Sequence, residues 1–189
     1  MSKARLEAFS DGVIAILITI MVLELKVPHG ADVSALLPLL PVFLSYVLSF
    51  VNVGIYWNNH HHLLHATSKI NGKILWANLY LLFWLSLIPF TTGWMGEHHE
   101  TVPTALYGFV MLMAGVAYLI MQRAIVAHQG KDSKLHAAMA SDVKGPASAV
   151  IYIVAIILAF VNPWLADVLY VVVALRWFIP DRRIESRIA

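Results

Sequence analysis

Gly12-Val13-Ile14-Ala15-Ile16-Leu17-Ile18-Thr19-Ile20-Met21-Val22-Leu23 is an uncharged run of twelve residues, bounded by Asp11 and Glu24. Within wider limits of about Leu6 to Val27 it reads as a membrane-crossing helix, ended by the Pro28-His29-Gly30 turn. A crossing needs roughly 20 apolar residues for about 30 Å of hydrocarbon. That ruler finds five more segments, at about 39–64, 72–94, 102–128, 146–161 and 164–179. Pro41 falls in the first turn of the second segment, where proline is tolerated, and Pro89 should kink or end the third. Asn162-Pro163 makes the turn between the last two. The expected architecture is therefore all-α: one polytopic domain over residues 1–189, with six transmembrane helices.

Composition agrees. The chain is 60% hydrophobic and 13% charged, against about half and a quarter in ordinary soluble domains. It has no cysteine, which removes disulfides and thiolate metal sites from consideration. A net charge of +2, with scattered basic residues, gives no footprint for nucleic acid. Met1-Ser2-Lys3-Ala4-Arg5 lacks the small-residue cleavage pattern of a signal peptide, so the first segment reads as a retained span.

Basic residues set the orientation. Lys3 and Arg5 precede span one, and Lys69 and Lys73 lie between spans two and three. Arg123, Lys131, Lys134 and Lys144 surround the loop between four and five, and Arg176, Arg182, Arg183 and Arg187 end the chain. Only Lys26 falls on the other side, twelve against one, which puts both termini in the cytoplasm. The short loops leave no room for a soluble catalytic domain.

Span one is unlike the rest. Its twelve apolar residues rise about 18 Å as a helix, so Asp11 and Glu24 fall near the membrane's interior edges. Ionisable groups at that depth usually face protein or water, although both can also simply mark the ends of the helix. Gly12, Ile16, Thr19, Ile20, Leu23 and Val27 follow helical spacing on one face. Such a face can pack against lipid or another helix, and the Thr19 hydroxyl can bond back to the preceding turn. Polar residues also converge at the cytoplasmic depth: Arg5, Ser10 and Asp11, then Trp57, Asn58, His60, His61 and His65, then Asn71 and Asn78. Lipid offers them no partners, so a network joining three helices is expected, with Asp11 as its main acceptor.

Arg5-x-x-x-Phe9-Ser10-Asp11-Gly12-Val13-x-Ala15-Ile16, continuing through Ile18-Thr19 and Leu23-Glu24, resembles the signature of the transmembrane protein 175 family of potassium channels. The resemblance extends through Ser49-Phe50, Tyr56-Trp57-x-x-His60-His61, Asn78-Leu79 and Pro89-Phe90. It covers three spans closely and the other three by span count. It implies a prokaryotic member with one repeat per chain, a homotetramer in the cytoplasmic membrane, and a central pore lined by the first helices. Potassium and other monovalent cations would be the permeant species, with no cofactor. By motif position, Ile16 would be the principal constriction, Thr19 a hydroxyl layer tied to selectivity, and Ile20 and Leu23 the rest of the narrowing. Arg5, Phe9, Ser10 and Asp11 would fix helix packing together with Trp57, His60, His61 and Asn78. Ala15 stands where some relatives carry a hydroxyl, which leaves that layer's part in selectivity open.

Other readings stand beside this one. Phe90-Thr91-Thr92-Gly93-Trp94-Met95-Gly96 faintly resembles a carbonyl-lined filter but lacks a preceding pore helix, so it reads as a loop. His61 and His65, four apart, have a spacing that suits a divalent metal, although no carboxylate or thiolate lies near in sequence. His98 and His99, between Glu97 and Glu100, read as a solvated turn. No nucleophile–base pair, carboxylate pair or phosphate loop supports an enzyme. A proton-coupled transporter using Asp11 and nearby histidines is the rival function, and a non-conducting structural protein is the third.

Overall fold

The computed structural model describes residues 2–130 and 143–178. Lys131, Lys134, Ile179, Arg182, Arg183 and Arg187, used above for orientation or to end the last span, lie outside the described residues. Every regular element among the described residues is helical. In chain order they are α1 (Lys3–Leu23), a short 3-10 helix (Val33–Leu39), α2 (Leu40–His65), α3 (Gly72–Ser86), α4 (Ile88–Glu97), α5 (Thr101–Gln129), α6 (Lys144–Ala159) and α7 (Pro163–Phe178). Among the described residues, four stretches are long and apolar enough to cross a membrane: Lys3–Leu23, Val33–His65, Gly72–Glu97 and Thr101–Gln129. Lys144–Ala159 is a shorter apolar helix.

The helix ends have local causes. α1 stops at Leu23 rather than near Val27, because Leu25 bonds back to the Val22 carbonyl in a tight turn before Pro28 forces the chain to extend. Pro41 occupies the first turn of α2. Asn71 caps α3, its side chain accepting from the Ile74 N–H at 3.0 Å. Gly130 follows α5 with φ at 91°, a conformation that favours glycine. Asn162 accepts from the Trp164 N–H at 3.0 Å and turns the chain into α7, where Pro163 leads.

The third crossing is broken where Pro89 predicts a kink. Pro89 has no N–H to offer Leu85, and Leu87 bonds instead to Trp84, three residues back. The chain then resumes as α4, which runs on to Glu97. This corrects the reading of Phe90–Gly96 as a loop: the stretch is helical, with Thr91, Thr92, Met95 and Gly96 buried. A helix turns its carbonyls along its own axis, so the resemblance to a carbonyl-lined filter ends there.

α5 is the central post, packed against α3, α4, α6 and α7. It buries Tyr107, Val110, Met111, Ala114, Ala117, Met121 and Ile125. Small residues let the helices approach: Ala114, Ala117, Ala155, Ala159 and Ala166 are wholly buried. At Gly108 the approach is tightest, since a β-carbon there would lie 2.1 Å from the Tyr170 hydroxyl. α1 sits at the edge, packing one face against α2, α3 and α4.

Candidate functional site

α1 divides cleanly into two faces. Leu6, Ser10, Ile14, Leu17 and Met21, spaced by three and four, are buried against the bundle. Gly12, Ile16, Thr19, Ile20 and Leu23 lie on the other side and are exposed, Ile16 by 57% and Leu23 by 80%. Val27 is exposed too, but beyond the helix end. Thr19 does what its position in a helix permits, donating to the carbonyls of Ile16 at 2.8 Å and Ala15 at 3.3 Å. Its oxygen lone pairs remain on the exposed face. In the single chain, then, α1 presents an apolar stripe with one hydroxyl level, and the exposed carboxylates of Asp11 and Glu24 lie at its two ends.

Buried polar bonds pin the other face. Asn78 on α3 is fully buried and takes the His60 ring proton at 2.7 Å. Because Asn78 Oδ1 only accepts, the hydrogen sits on His60 Nε2. The Asn78 amide donates to the Ser10 hydroxyl at 3.0 Å, and Ser10 donates to the Leu6 carbonyl at 2.9 Å. Three helices meet in this one knot. Asp11 is not its hub, which corrects the sequence expectation. Asp11 lies one residue, about 100° of helix, past Ser10, so it turns outward and accepts only from Trp57 Nε1, at 3.0 Å, among described bonds.

Trp57, His61 and His65 follow one another at four-residue intervals along α2 and stack, with ring centroids 6.2 Å apart at each step. That row of rings is what four-residue spacing on one helix face produces. Among the described residues no group of three or more histidine, aspartate or glutamate side chains is placed to hold one. Arg5, Phe9 and Asn58 are exposed, and Asn71 is used as a helix cap. At the other end Lys26 pairs with Glu97, tying the segment after α1 to the end of α4. That bonded carboxylate pushes the Lys26 ammonium pKa up.

Two polar groupings escaped the sequence reading. Ser49 and Thr92 share a hydrogen bond of 2.6 Å, and both Ser49 and Asn52 reach the Tyr107 hydroxyl, joining α2, α4 and α5 in a buried layer. Serine, threonine and tyrosine scattered over three helices carry no spacing signal. His99 bonds Asp167 and its ring lies 4.1 Å from that of Trp164. His99 is thus half-buried against α7, not a solvated turn as its acidic neighbours suggested, whereas His98 is exposed. Asp167 itself was the available signal, a carboxylate inside an apolar span.

The family model described as endosomal/lysosomal potassium channel TMEM175 matches residues 5–89. A Chryseobacterium protein named a potassium channel is 53% identical over 187 residues, covering 98% of this chain and 97% of that one. The human protein named endosomal/lysosomal proton channel TMEM175 is 40% identical over 96 residues, 44% of this chain and 19% of its own length. Among solved structures, a lysosomal potassium-selective channel TMEM175 homolog from Chamaesiphon minutus superposes with a TM-score of 0.83 at 28% identity. That match covers 96% of this chain and 97% of the other.

Proposed function

From a chain that belongs to the TMEM175 family of potassium channels, we propose a passive, potassium-permeable cation pore built from the α1 helices of four identical subunits. Each subunit contributes a single six-helix membrane domain in which α3 and α4 together make one crossing. The observation that carries the reading is the two-faced α1: one side is fixed by the Ser10–Asn78–His60 knot, the other left apolar and exposed. Turned inward around an axis, Ile16, Ile20 and Leu23 would stack as rings of branched side chains that narrow the path. Such rings close a pore by dewetting or hold it just wide enough for a largely dehydrated ion. Thr19 would supply the one level of side-chain oxygen between them. Few coordinating oxygens mean only a modest preference for potassium over sodium. Glu24, at one mouth, would raise the local cation concentration through its charge.

The basic-residue bias supports a cytoplasmic-membrane protein with both termini on the cytoplasmic side. In this reading the knot positions α1 and Asp11 carries no proton, whereas the rival proton-coupled transporter would cycle a proton through Asp11 and nearby histidines.

The test is ion flux into liposomes holding the purified protein, under potassium, sodium and proton gradients, for wild type and Ile16→Asn. Wild type should pass potassium faster than sodium without any proton gradient, and Ile16→Asn should pass more of both with less discrimination. Potassium movement only when a proton gradient is imposed would overturn the channel in favour of the transporter. Conduction by wild type with an indistinguishable Ile16→Asn would overturn the pore face.

A further inference from the structure

Between α2, α5, α6 and α7 lies a cavity of about 120 Å³. Most of its wall is apolar, with Ile55, Leu112, Val116, Leu119, Ala149 and Val173 among the lining residues. The rings of Tyr56, Tyr118, Tyr152 and Trp177 add to it, and none of the lining residues has a charged side chain. A dry apolar cavity of about 150 Å³ takes up benzene. The volume here therefore suits a neutral guest of about that bulk.

Two polar groups on that wall are left unpaired. Tyr152 is 5% exposed, and its hydroxyl has no hydrogen-bond partner among the described residues. Asn52 is 4% exposed, and its Nδ2 donates to the Tyr107 hydroxyl at 3.3 Å, but its Oδ1 accepts from no described residue. Among the described residues, the side-chain atoms both unbonded and sealed from any space are Trp84 Nε1, Thr104 Oγ1 and Asp167 Oδ1. The Tyr152 hydroxyl and Asn52 Oδ1 are not of that kind, so each opens onto free volume. In residues this buried, that volume is the cavity they line. The two groups also share one end of it. Tyr107, the partner of Asn52, lies 5.4 Å from the Tyr170 ring, and Tyr170 lies 5.9 Å from Tyr152, centroid to centroid. Asn52 sits halfway along α2 and Tyr152 halfway along α6, at a depth where the bilayer supplies no hydrogen-bond partner.

We propose that this cavity is a binding site for a small, neutral, apolar molecule bearing one hydroxyl, a phenol or an alcohol of similar bulk. The guest hydroxyl would donate to Asn52 Oδ1 and accept from the Tyr152 hydroxyl, while its apolar body restores contacts that the lining side chains lack. An ether or ketone can only accept and would leave Asn52 Oδ1 unmet. A charged guest would find no opposite charge on the wall. Water would serve the two polar groups but leave most of the apolar wall bare. Folding gains nothing from a buried hydroxyl without a partner, and phenylalanine would fill position 152 as well. No residue of α1 lines the cavity, so the site stands or falls independently of which helix lines a pore.

Crystals of the full chain soaked in 4-bromophenol test the site directly. Anomalous scattering should place one bromine per subunit between α2, α5, α6 and α7, with the phenol oxygen in hydrogen-bond reach of Tyr152 and Asn52. In detergent solution the bromine should quench, in a saturable way, a component of tryptophan fluorescence that Trp177→Phe lacks, because Trp177 lines the cavity. Tyr152→Phe should weaken 4-bromophenol binding about threefold to tenfold, the worth of one hydrogen bond, and leave bromobenzene binding unchanged. The same variant should unfold like wild type, since the hydroxyl it loses has no partner among the described residues. Gly115→Leu should abolish saturable quenching by both compounds. A β-carbon at Gly115 meets nothing nearer than the Tyr56 hydroxyl at 3.6 Å, so the leucine side chain has room to enter and fill the cavity. Four results would each overturn the site: bromine bound only elsewhere, ordered water in the cavity that the phenol does not displace, equal 4-bromophenol affinity in wild type and Tyr152→Phe, or undiminished saturable quenching in Gly115→Leu.

Discussion

Asn78→Leu removes the hub that fixes α1, and its cost can be worked out bond by bond. Leucine is close to asparagine in size, so the exchange creates little cavity or crowding. Ser10 loses Asn78 but keeps the Leu6 carbonyl at 2.9 Å, and its hydroxyl remains satisfied. His60 fares worse, because its Nε2–H, now bonded to Asn78 at 2.7 Å, is left in a residue only 1% exposed. An orphaned buried donor costs about 1–3 kcal/mol in protein interiors. Polar pairs between membrane helices average about 0.6 kcal/mol and reach about 1.7. The expected loss for Asn78→Leu is therefore about 1–2 kcal/mol per chain, weighted toward the lower figures because the membrane is the relevant medium. Ser10→Ala should cost less, about 0.5 kcal/mol, since Asn78 keeps its bond to His60 and only its amide hydrogen goes unmet. Reversible unfolding in mixed micelles, with sodium dodecyl sulfate as denaturant, measures both. The order wild type, Ser10→Ala, Asn78→Leu is expected. An Asn78→Leu chain as stable as wild type, or a Ser10→Ala chain less stable than Asn78→Leu, would refute the view that this knot holds α1 in place.

The same unfolding assay checks three further expectations. Gly108→Ala drives a methyl into the Tyr170 hydroxyl, which is buried and donates to the Thr104 carbonyl at 2.9 Å. Overpacking of that kind costs about 1–3 kcal/mol, and the double variant with Tyr170→Phe should lose less than the two single losses combined. Glu97→Gln breaks the pair with Lys26. The Lys26 pKa is raised by that carboxylate, so any stabilisation it brings is present at neutral pH and fades as pH climbs through the folded-state value. Because the ammonium is fully exposed and screened, stability at neutral pH should stay within error of wild type. Ile153→Asn puts an amide on the outward face of α6, where Ile153 is 48% exposed beside Val150, Val154 and Ile157. If that face meets lipid, stability should fall by about 1–3 kcal/mol, while potassium flux per folded channel stays at the wild-type level, opposite to the effect expected of Ile16→Asn.

How much of this was legible beforehand depends on the range of the interaction that fixes each feature. The helices follow from hydropathy and from prolines that act within four residues, and Pro89 marked the break at Leu87 for that reason. The exposed face of α1 was legible for the same reason, since i, i+3 and i+4 spacing is a property of one helix. The centre of the polar knot was not. Ser10 and Asp11 are adjacent in sequence, and charge made Asp11 the obvious acceptor, yet the rotation between neighbours turns Asp11 out and Ser10 in. Only the packing of α1 on α3, 68 residues away, decides which of the two faces Asn78. His99 and Asp167 are also 68 residues apart, so Glu97 and Glu100 beside His99 suggested solvent where α7 actually covers it. One distinction survives from sequence to structure. The outward faces of α6 and α7 are apolar, mainly valine, isoleucine and leucine with Trp164 and Phe178 near the ends of α7, as suits lipid. The outward stripe of α1 instead carries Thr19 midway and ends at exposed Asp11 and Glu24, within an uncharged run of only twelve residues. A carboxylate at each end and a hydroxyl between suit a face that meets water and ions, and this contrast among three exposed helices is what favours α1 for the proposed pore.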